Sequence, residues 1–530
     1  MERVTLLAPS AFQRRFGRQR QREPSPGSVC AVAWPPVARQ AAVVPKSSGS
    51  RRFRECDALH QLPRRHVSSG PAHPGLSRGP VPPRIATMHI TLIQPAVGRK
   101  PDGTPYPASW RMEPLGIARL ASLTPPEIRR AFFDDRLEPI RYDDPTDLVC
   151  ITVETYTARR AYQIAAAFRA RGVPVVLGGF HPTLVPDEAA LRADSIVIGE
   201  AEPVWRAVLD DAAAGRLRAR YSSDRPRLAG LAPDRSIFGR RPYGLVALVE
   251  TSRGCRFNCE FCSVSPFFRQ RCLERPVEEV VQEVRSLRKP IFFVDDNLGA
   301  DPDRLRALCG ALLPVKRPWI GQASLHIAED RALLDLMRRS GCQGVLVGFE
   351  SLDADTLHAM GKSVNLEARH YPRAIQAFRD HGISVYATFV FGYDHDTPET
   401  FRRVFDFALE QKFFFTAFNH LVPFPGTPLY DRLAAENRLL YPHWWLEPGV
   451  RFGDIVFQPA RMSPRELAGL CESHRRRFYA LPSVAHRMLD FKANCRSPHK
   501  ALVFLGQNLL HQREVVRRQG LPFGLPDETP

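Results

Sequence analysis

Between positions 88 and 220, short apolar runs alternate with amphipathic stretches. The apolar runs predict five strands, at 90–93, 131–133, 148–153, 173–177 and 195–198, and the amphipathic stretches predict helices such as 115–123 and 157–171. Strands that alternate with helices form a parallel, doubly wound sheet. Ligands of such Rossmann-like sheets bind at the carboxyl ends of the strands.

A second series of alternating strands and helices begins at position 244. Its predicted strands are 245–249, 290–294, 319–323, 344–349, 384–391 and 415–421, and its predicted helices include 277–287, 302–312, 331–339, 366–381 and 397–411. This repeat predicts a partial (β/α)6 barrel over 244–440, with active groups at the carboxyl ends of its strands. After it, 441–530 is predicted to be mainly helical, with helices at 464–479 and 498–518 whose apolar stripes face inward and whose outer residues are basic. The expected fold class is therefore α/β.

Composition changes this picture mainly at the amino terminus. Residues 1–87 are rich in Arg, Pro, Ser and Gly, and 15 Lys and Arg face 4 Asp and Glu there, which is +11 of the net charge of +18. Such a segment buries too little apolar surface to fold, so 1–87 is predicted to be a disordered leader, with translation starting at or near Met88. Because the charge sits in this leader, no nucleic-acid partner is expected. Residues 221–243 are predicted to be a surface linker between domains 88–220 and 244–440.

Two further bulk features suggest where the protein resides. No apolar run is long enough to span a bilayer, so no transmembrane segment is expected. The 11 cysteines are odd in number and mostly isolated, which is typical of the reducing cytoplasm rather than of a disulfide-bonded secreted protein.

The most specific motif follows the first strand of the predicted barrel. Cys255, Cys259 and Cys262 form a C-x3-C-x2-C pattern on one short loop. Three thiolates on such a loop can hold three irons of a [4Fe–4S] cubane and leave the fourth iron open to another ligand. A zinc site normally takes four ligands, and no fourth Cys or His lies at a matching offset nearby.

This motif, together with the aromatic Phe261 before its last cysteine, resembles the radical S-adenosylmethionine (SAM) enzymes. The resemblance implies that SAM chelates the open iron and that an electron from the cluster cleaves it to methionine and a 5′-deoxyadenosyl radical. A flavodoxin- or ferredoxin-type protein would supply that electron. The SAM-binding positions that it implies are Phe261, Asp295, Gln322, Ser324, Gly348 and Glu350. At each single position, an ordinary helix-capping role remains the alternative, and Lys362 could equally be a solvated surface lysine.

The predicted first domain resembles the cobalamin-binding domain that precedes many radical SAM domains. The resemblance rests on Glu113-Pro114-Leu115-Gly116, on Gly178-Gly179-Phe180-His181-Pro182-Thr183 and on Gly199-Glu200-Ala201-Glu202. The cobalamin-contacting positions that it implies are Pro114, Thr152, Thr155, Gly178, Gly179, His181, Thr183, Gly199 and Glu200. Where related domains place a cobalt-ligating histidine, this chain has Asp134-Asp135-Arg136 instead, so no histidine ligand is expected. The alternative is a domain that keeps the fold without the cofactor.

Among radical SAM enzymes, the chain resembles the class B methylases, the anaerobic magnesium-protoporphyrin ester cyclases and the hopanoid methylases. The expected function is cobalamin-dependent methylation, at carbon or phosphorus, of a small-molecule natural product or a lipid. One alternative is a cobalamin-free radical SAM cyclase, rearrangement or group-transfer enzyme. Another is a non-catalytic iron–sulfur or zinc protein.

Overall fold

The computed structural model of the chain describes residues 87–106, 111–223, 228–362, 365, 371–517 and 519–525, without the side chains of 514–517. These residues belong to a single compact unit. The predicted leader, apart from Thr87, lies outside the described residues.

The first half is built on a parallel sheet of six strands in the order β2-β1-β3-β4-β5-β6. The strands are β1 (His89–Gln94), β2 (Arg129–Asp134), β3 (Leu148–Thr152), β4 (Val175–Gly178), β5 (Ser195–Ile198) and β6 (Arg220–Ser222). Five of them match the predicted strands to within a few residues. The sixth was not predicted, because only Tyr221 of β6 is buried and a strand with one buried residue leaves no apolar run in the sequence.

Helices cover both faces of this sheet. They are α1 (Leu115–Leu123), α2 (Ala158–Arg169), α3 (Phe180–Leu184), α4 (Pro186–Ala190) and α5 (Trp205–Ala213). Phe168 of α2 belongs to the apolar cluster on one face, and Trp205 of α5 belongs to the cluster on the other. Phe238, within the predicted linker, packs into the second cluster, so part of that segment folds onto the first half.

The second half contains another parallel sheet, in the order β14-β13-β12-β11-β10-β7. Its strands are β7 (Ala247–Val249), β10 (Ile291–Phe293), β11 (Trp319–Gln322), β12 (Cys342–Glu350), β13 (Ser384–Phe391) and β14 (Phe415–His420), and a short hairpin pairs β8 (Ser252–Arg253) with β9 (Leu273–Glu274). The helices of this half are α6 (Val264–Phe268), α7 (Val277–Ser286), α8 (Pro302–Leu312), α9 (Arg331–Ser340), α10 (Ala354–Ala359), α11 (Tyr371–Asp380), α12 (Pro398–Glu410) and α13 (Pro428–Ala435). The predicted α/β architecture with a six-stranded partial barrel is confirmed.

The two edge strands of this sheet are capped by side chains. Leu248 of β7 donates its N–H to Glu113 (3.0 Å) and accepts a hydrogen bond from Arg235 at its carbonyl (2.5 Å). On β14, the hydroxyl of Tyr479 accepts from the N–H of Thr416 and donates to its carbonyl. Glu113 and Arg235 precede the second half in the chain. Their side chains therefore cap the backbone of an edge strand in the second half.

The carboxyl-terminal region forms three helices, α14 (Pro464–Phe478), α15 (Leu481–Met488) and α16 (Pro498–Arg517). Before them, Trp444 and Trp445 are fully buried in the core of the first half. The prediction that α16 has a basic outer face is wrong, because Leu502 is 70% exposed there and Leu510 41%. In the part of the chain that the structure describes, no helix combines the length and apolar character needed to cross a membrane.

Candidate cluster and cofactor site

The cysteine loop joins β8 to α6 at the carboxyl end of β7. Cys259 is buried, whereas Cys255 and Cys262 are half-buried. The loop turns at Gly254, whose φ of +85° favours glycine and where a Cβ atom would lie 2.0 Å from the carbonyl of Arg271. The N–H of Gly254 donates to Asp296 (2.8 Å), which holds the turn.

Backbone contacts hold the middle of the loop in place. The N–H of Glu260 donates to the carbonyl of Met360, and its carbonyl accepts from the N–H of Leu429. The carboxylate of Glu260 accepts a hydrogen bond from Arg432 of α13 (2.9 Å). Because both α10 and α13 fix this one residue, the positions of the neighbouring cysteines are set by the barrel and not by the loop alone.

The three thiols offer the chemistry that a [4Fe–4S] cubane takes from cysteine, one sulfur ligand for each of three irons. Among the described residues, no group of three His, Cys, Asp or Glu side chains is placed to hold a single metal ion. Burial raises the pKa of Cys259 to about 11 and also raises that of Cys262. Since thiolates are the metal-binding form, cluster binding must release protons from these thiols.

A buried ion pair lies beside the loop. The Lys362 ammonium is 3.0 Å from the Glu350 carboxylate, and both side chains are largely buried. Burial by itself would lower the pKa of Lys362, but Glu350 and the neighbouring Cys259 outweigh that effect and raise it. The interpretation of Lys362 as a solvated surface lysine is therefore wrong. The cation is placed to offset negative charge on the cysteine sulfurs.

Glu350 reaches this position through an unusual backbone. Its φ is +63°, and the pairing of β12 with β13 shifts register between Gly348 and Glu350. A Cβ atom at Gly348 would lie 2.2 Å from the Glu350 carboxylate, so the bulge and the glycine together turn the carboxylate toward Lys362. Strained backbone of this kind is often found at functional sites.

Asp295 lies at the carboxyl end of β10 but is engaged within the protein. Its carboxylate accepts hydrogen bonds from the N–H and hydroxyl of Thr251 and from the hydroxyl of Ser252. Burial raises the pKa of Asp295 to about 6. These contacts shape the segment that leads into the cysteine loop, so the geometry assigns Asp295 a positioning role beside its predicted SAM contact.

The remaining predicted SAM-site residues lie along the same edge of the sheet. Gln322 donates to the carbonyl of Asp296 (2.8 Å), and the hydroxyl of Ser324 accepts a hydrogen bond from Asn297 (2.7 Å). Phe261 is partly buried against the barrel core. Their contacts with SAM stay predictions.

The carboxyl edge of the first sheet carries the predicted cobalamin-contacting residues. Gly179 has a φ of +108°, and its carbonyl accepts a hydrogen bond from the Thr183 hydroxyl, which in turn accepts from the N–H of Gly199. A Cβ atom at Gly199 would meet nothing within 4 Å, so this backbone is open to close approach. Three further residues of the set lie at this edge. Pro114 comes directly before α1, and Thr152 and Gly178 are the last residues of β3 and β4.

His181 is fully buried and both of its ring nitrogens have partners. Nδ1 lies 3.3 Å from the hydroxyl of Thr155, and Nε2 lies 3.1 Å from Glu188. Glu188 also accepts a hydrogen bond from the indole of Trp445 (3.0 Å). The His181 side chain therefore ties the first half of the chain to the carboxyl-terminal region and is not available as a metal ligand.

Acidic and basic side chains fill the position after β2 where related domains place a cobalt ligand. Asp135 is fully buried between Arg99 (2.8 Å) and Arg160 (2.9 Å). That cobalamin would bind here without a histidine ligand stays a prediction.

Arg253, next to the cysteine loop, connects the two halves of the molecule. Its guanidinium lies 2.8 Å from Glu200, 2.5 Å from Glu202 and 3.0 Å from Glu250. Arg119 of α1 is a second cation in this cluster, 2.5 Å from Glu250. Burial alone would lower the pKa of Arg253, but the charges of Glu202 and Glu250 outweigh it and raise the pKa. Neither Arg253 nor Glu202 is among the site residues predicted from the sequence.

Aromatic stacking reinforces this connection. The ring of Phe180, in the Gly-Gly-Phe-His segment, stacks on Phe267 of α6 with centroids 4.2 Å apart and planes at 20°. A Cβ atom at Gly426 would lie 3.2 Å from Leu184 of α3, so the loop after β14 also comes close to this helix. The carboxyl edge of the first sheet therefore packs directly on the segment that carries the cysteines.

Comparisons with known proteins agree with this arrangement. The model of the radical SAM superfamily matches residues 249–408. Bacteriochlorophyllide d C-8(2)-methyltransferase of Chlorobaculum tepidum is 32% identical over 356 residues, which cover 62% of this chain and 78% of that protein. Bacteriochlorophyllide d C-12(1)-methyltransferase of the same organism is 27% identical over 390 residues, covering 71% and 84%.

A solved structure shares the fold. The radical SAM methyltransferase TsrM from Kitasatospora setae, whose structure contains cobalamin and a [4Fe–4S] cluster, superposes with a TM-score of 0.53 at 18% identity. The match covers 72% of this chain and 81% of that one. At this level of identity the likeness concerns the fold.

Proposed function

Since this chain belongs to the radical SAM superfamily and is an enzyme of that class, we propose that it is a cobalamin-dependent methyltransferase acting on an apolar small molecule. The observation that carries the proposal is the direct packing of the two carboxyl edges. Arg253 and Phe267, on either side of the cysteine loop, contact Glu200 and Phe180 of the first sheet. A methyl carrier at one edge and a radical source at the other would thus face a common space, as that class of reaction needs.

The residues present fit the groups that the family implies. When bound, the [4Fe–4S] cluster, SAM and cobalamin would supply the electron, the radical and the methyl group. Cys255, Cys259 and Cys262 would hold the cluster, and Lys362 would offset its charge from a site with little access to water. Gly199, where a Cβ atom would meet nothing within 4 Å, would let a large cofactor approach the backbone closely.

Side chains on the inner face of the barrel sheet support the proposed substrate class. Phe389 of β13 packs outward against Phe407 of α12, so Thr388 and Val390 lie on the opposite, concave face. Ile320 of β11 is 39% exposed between two buried neighbours. A concave face lined by such side chains suits an apolar or aromatic ring system, which is consistent with the tetrapyrroles named for the relatives.

The test begins with protein reconstituted without oxygen with iron, sulfide and hydroxocobalamin. We expect about four irons and one cobalt per chain. With a reductant and SAM carrying a deuterated methyl group, tetrapyrrole and other apolar acceptors are then screened by mass spectrometry. A methylated product should form together with S-adenosylhomocysteine and 5′-deoxyadenosine.

Variants separate the cofactors. Cys259→Ser should lose iron and both products, whereas a chain without cobalamin should keep 5′-deoxyadenosine and lose methyl transfer. Iron binding with 5′-deoxyadenosine, but with no cobalt retained and no S-adenosylhomocysteine, would refute the methyltransferase and favour a cobalamin-free radical enzyme.

A further inference from the structure

Helices α15 and α16, together with the segment between them, carry most of the exposed large apolar side chains of the described residues. In the described part of the chain, seven of the twelve exposed large hydrophobic residues lie between positions 481 and 510. We call these seven residues the apolar strip: Leu481, Leu489, Phe491, Leu502, Val503, Leu509 and Leu510. Exposed apolar side chains concentrated in one part of a surface mark an interaction site.

The strip arises because both helices bury one face and expose another. On α16, Phe504 and Asn508 are fully buried, while Leu502 and Leu509, one half-turn away, are exposed. The inner faces of the two helices meet where Arg487 of α15 donates to the Asn508 side chain (3.0 Å). With their inner faces joined in this way, both outer faces point to solvent.

The surroundings of the strip are positively charged. Residues 481–517, to the end of α16, contain six Lys and Arg but two acids, Asp490 and Glu514. Asp490 is buried and paired with Arg379 (3.2 Å). Among the exposed cations of this stretch, Lys492 is paired with Asp380 (2.8 Å), and Arg496 and Arg513 lie on the surface. Among the side chains that the structure describes in this stretch, leucines and cations face solvent and no carboxylate is exposed.

We propose that the apolar strip is a docking surface for an anionic lipid bilayer. Leucine and phenylalanine side chains on one face of a helix enter the boundary between headgroups and acyl chains, and adjacent cations attract the lipid phosphates. The charge argues against two other occupants. A second copy would bring like charges together, and residues 1–86 are themselves basic, with 15 Lys and Arg against 4 acids.

The strip lies at the end of the barrel opposite the cysteine loop. Lys500 of α16 donates to the carbonyl of Gly382, just before β13, and Arg487 donates to the carbonyl of Phe413, just before β14. Docking through these helices therefore occupies the amino ends of the strands. The carboxyl ends, with the cysteine loop, stay accessible to a substrate and a reductant from the aqueous side.

The experiment is co-sedimentation of the full chain with vesicles of phosphatidylcholine and phosphatidylglycerol, compared with phosphatidylcholine alone. We expect binding to the anionic vesicles that weakens with salt. Leu502→Asp combined with Leu510→Asp should lower the affinity at least about tenfold, and Arg513→Glu should weaken binding to anionic vesicles only. The matched control is Leu191→Asp, since Leu191 is 79% exposed in the first half of the chain; it should bind like the wild type.

Three outcomes would overturn the proposal. One is no binding to anionic vesicles by the folded wild-type chain. Another is full binding by the Leu502→Asp, Leu510→Asp variant, which would place lipid binding elsewhere, for example in the basic leader. The third is a wild-type chain that light scattering shows to be a dimer, a double variant that is a monomer, and an oligomeric state that does not respond to lipid in either protein.

Discussion

Replacing Arg253 by methionine tests whether the charge cluster between the two halves holds the cysteine loop in place. The side chains involved are largely buried, with relative exposures of 12% for Arg253, 8% for Glu200 and 11% for Glu202. The variant keeps the length of the side chain but removes the cation, so Glu202 and Glu250 would keep only Arg119 and Glu200 would lose its ion pair with Arg253. Removing one partner of a buried ion pair typically costs about 3–5 kcal/mol, because the other charges stay buried without compensation.

The measurement is hydrogen exchange followed by mass spectrometry on the apo protein, where the penalty appears as faster exchange in peptides around 197–204 and 250–256. This readout does not assume that so large a chain unfolds in one step. The matched control is Arg206→Met, which removes an exposed arginine paired with Asp210 on α5. Such a surface pair is worth about 0.3–0.5 kcal/mol, so the control should hardly change exchange.

Acid should reverse part of the Arg253→Met effect. Burial raises the pKa of Glu200, while the charge of Arg253 outweighs burial at Glu202 and lowers its pKa. Without Arg253, these pKa values should rise above the unfolded value of about 4.3, so the penalty is full at higher pH and declines as the carboxylates take up protons. Exchange should therefore differ less from the wild type at about pH 5.5 than at about pH 8. An Arg253→Met chain that exchanges no faster than Arg206→Met at either pH would refute the reasoning.

Three further predictions concern the cysteine loop and its supports. Cys259→Ser should prevent iron and sulfide incorporation, whereas Cys272→Ala should bind both like the wild type; equal iron contents in the two variants would contradict the assignment. Gly254→Ala should lower iron incorporation because its Cβ atom would meet the carbonyl of Arg271. The control is Gly310→Ala on α8, where a Cβ atom meets nothing within 4 Å. That variant should leave the iron content unchanged and stabilise the folded chain by about 0.5–1 kcal/mol. Burial would raise the pKa of Glu188, but hydrogen bonds from His181 and Trp445 outweigh it and lower the pKa to about 2; its contribution to stability is therefore full above about pH 4.5 and is lost as pH falls toward 2. Thermal unfolding of Glu188→Gln should lack this dependence on acid, and an unchanged acid profile would show that Glu188 is not its source.

The strands could be predicted from the sequence because parallel strands buried on both faces appear as continuous apolar runs. β6 could not, since its single buried side chain, Tyr221, gives no run. The helices of the barrel were predicted nearly to the residue where Pro and an acidic or hydroxyl cap mark the start, as at α8 and α12. The outer face of α16 was misjudged because a helix with apolar residues on several sides does not reveal which of them is buried.

The candidate site likewise has a part that could be predicted from the sequence and a part that could not. The cysteine loop is local in sequence, so its spacing predicts its chemistry. The burial of Lys362 depends on a register shift at Glu350. Two of the three carboxylates that pair with Arg253, those of Glu200 and Glu202, lie about 50 residues earlier in the chain. Such long-range contacts have no local pattern, and only the folded structure reveals them.

The side-chain caps on β7 and β14 also protect the protein from its own neighbours. An open sheet with free edges offers a template on which a strand from another molecule can add, which leads to aggregation. A strand approaching Leu248 would have to displace Glu113 and Arg235, and one approaching Thr416 would have to displace Tyr479. Because those caps come from the first half of the chain and from the carboxyl-terminal helices, a fragment containing the barrel alone would expose both edges. The partial barrel therefore keeps its two edge strands protected only as part of the whole chain.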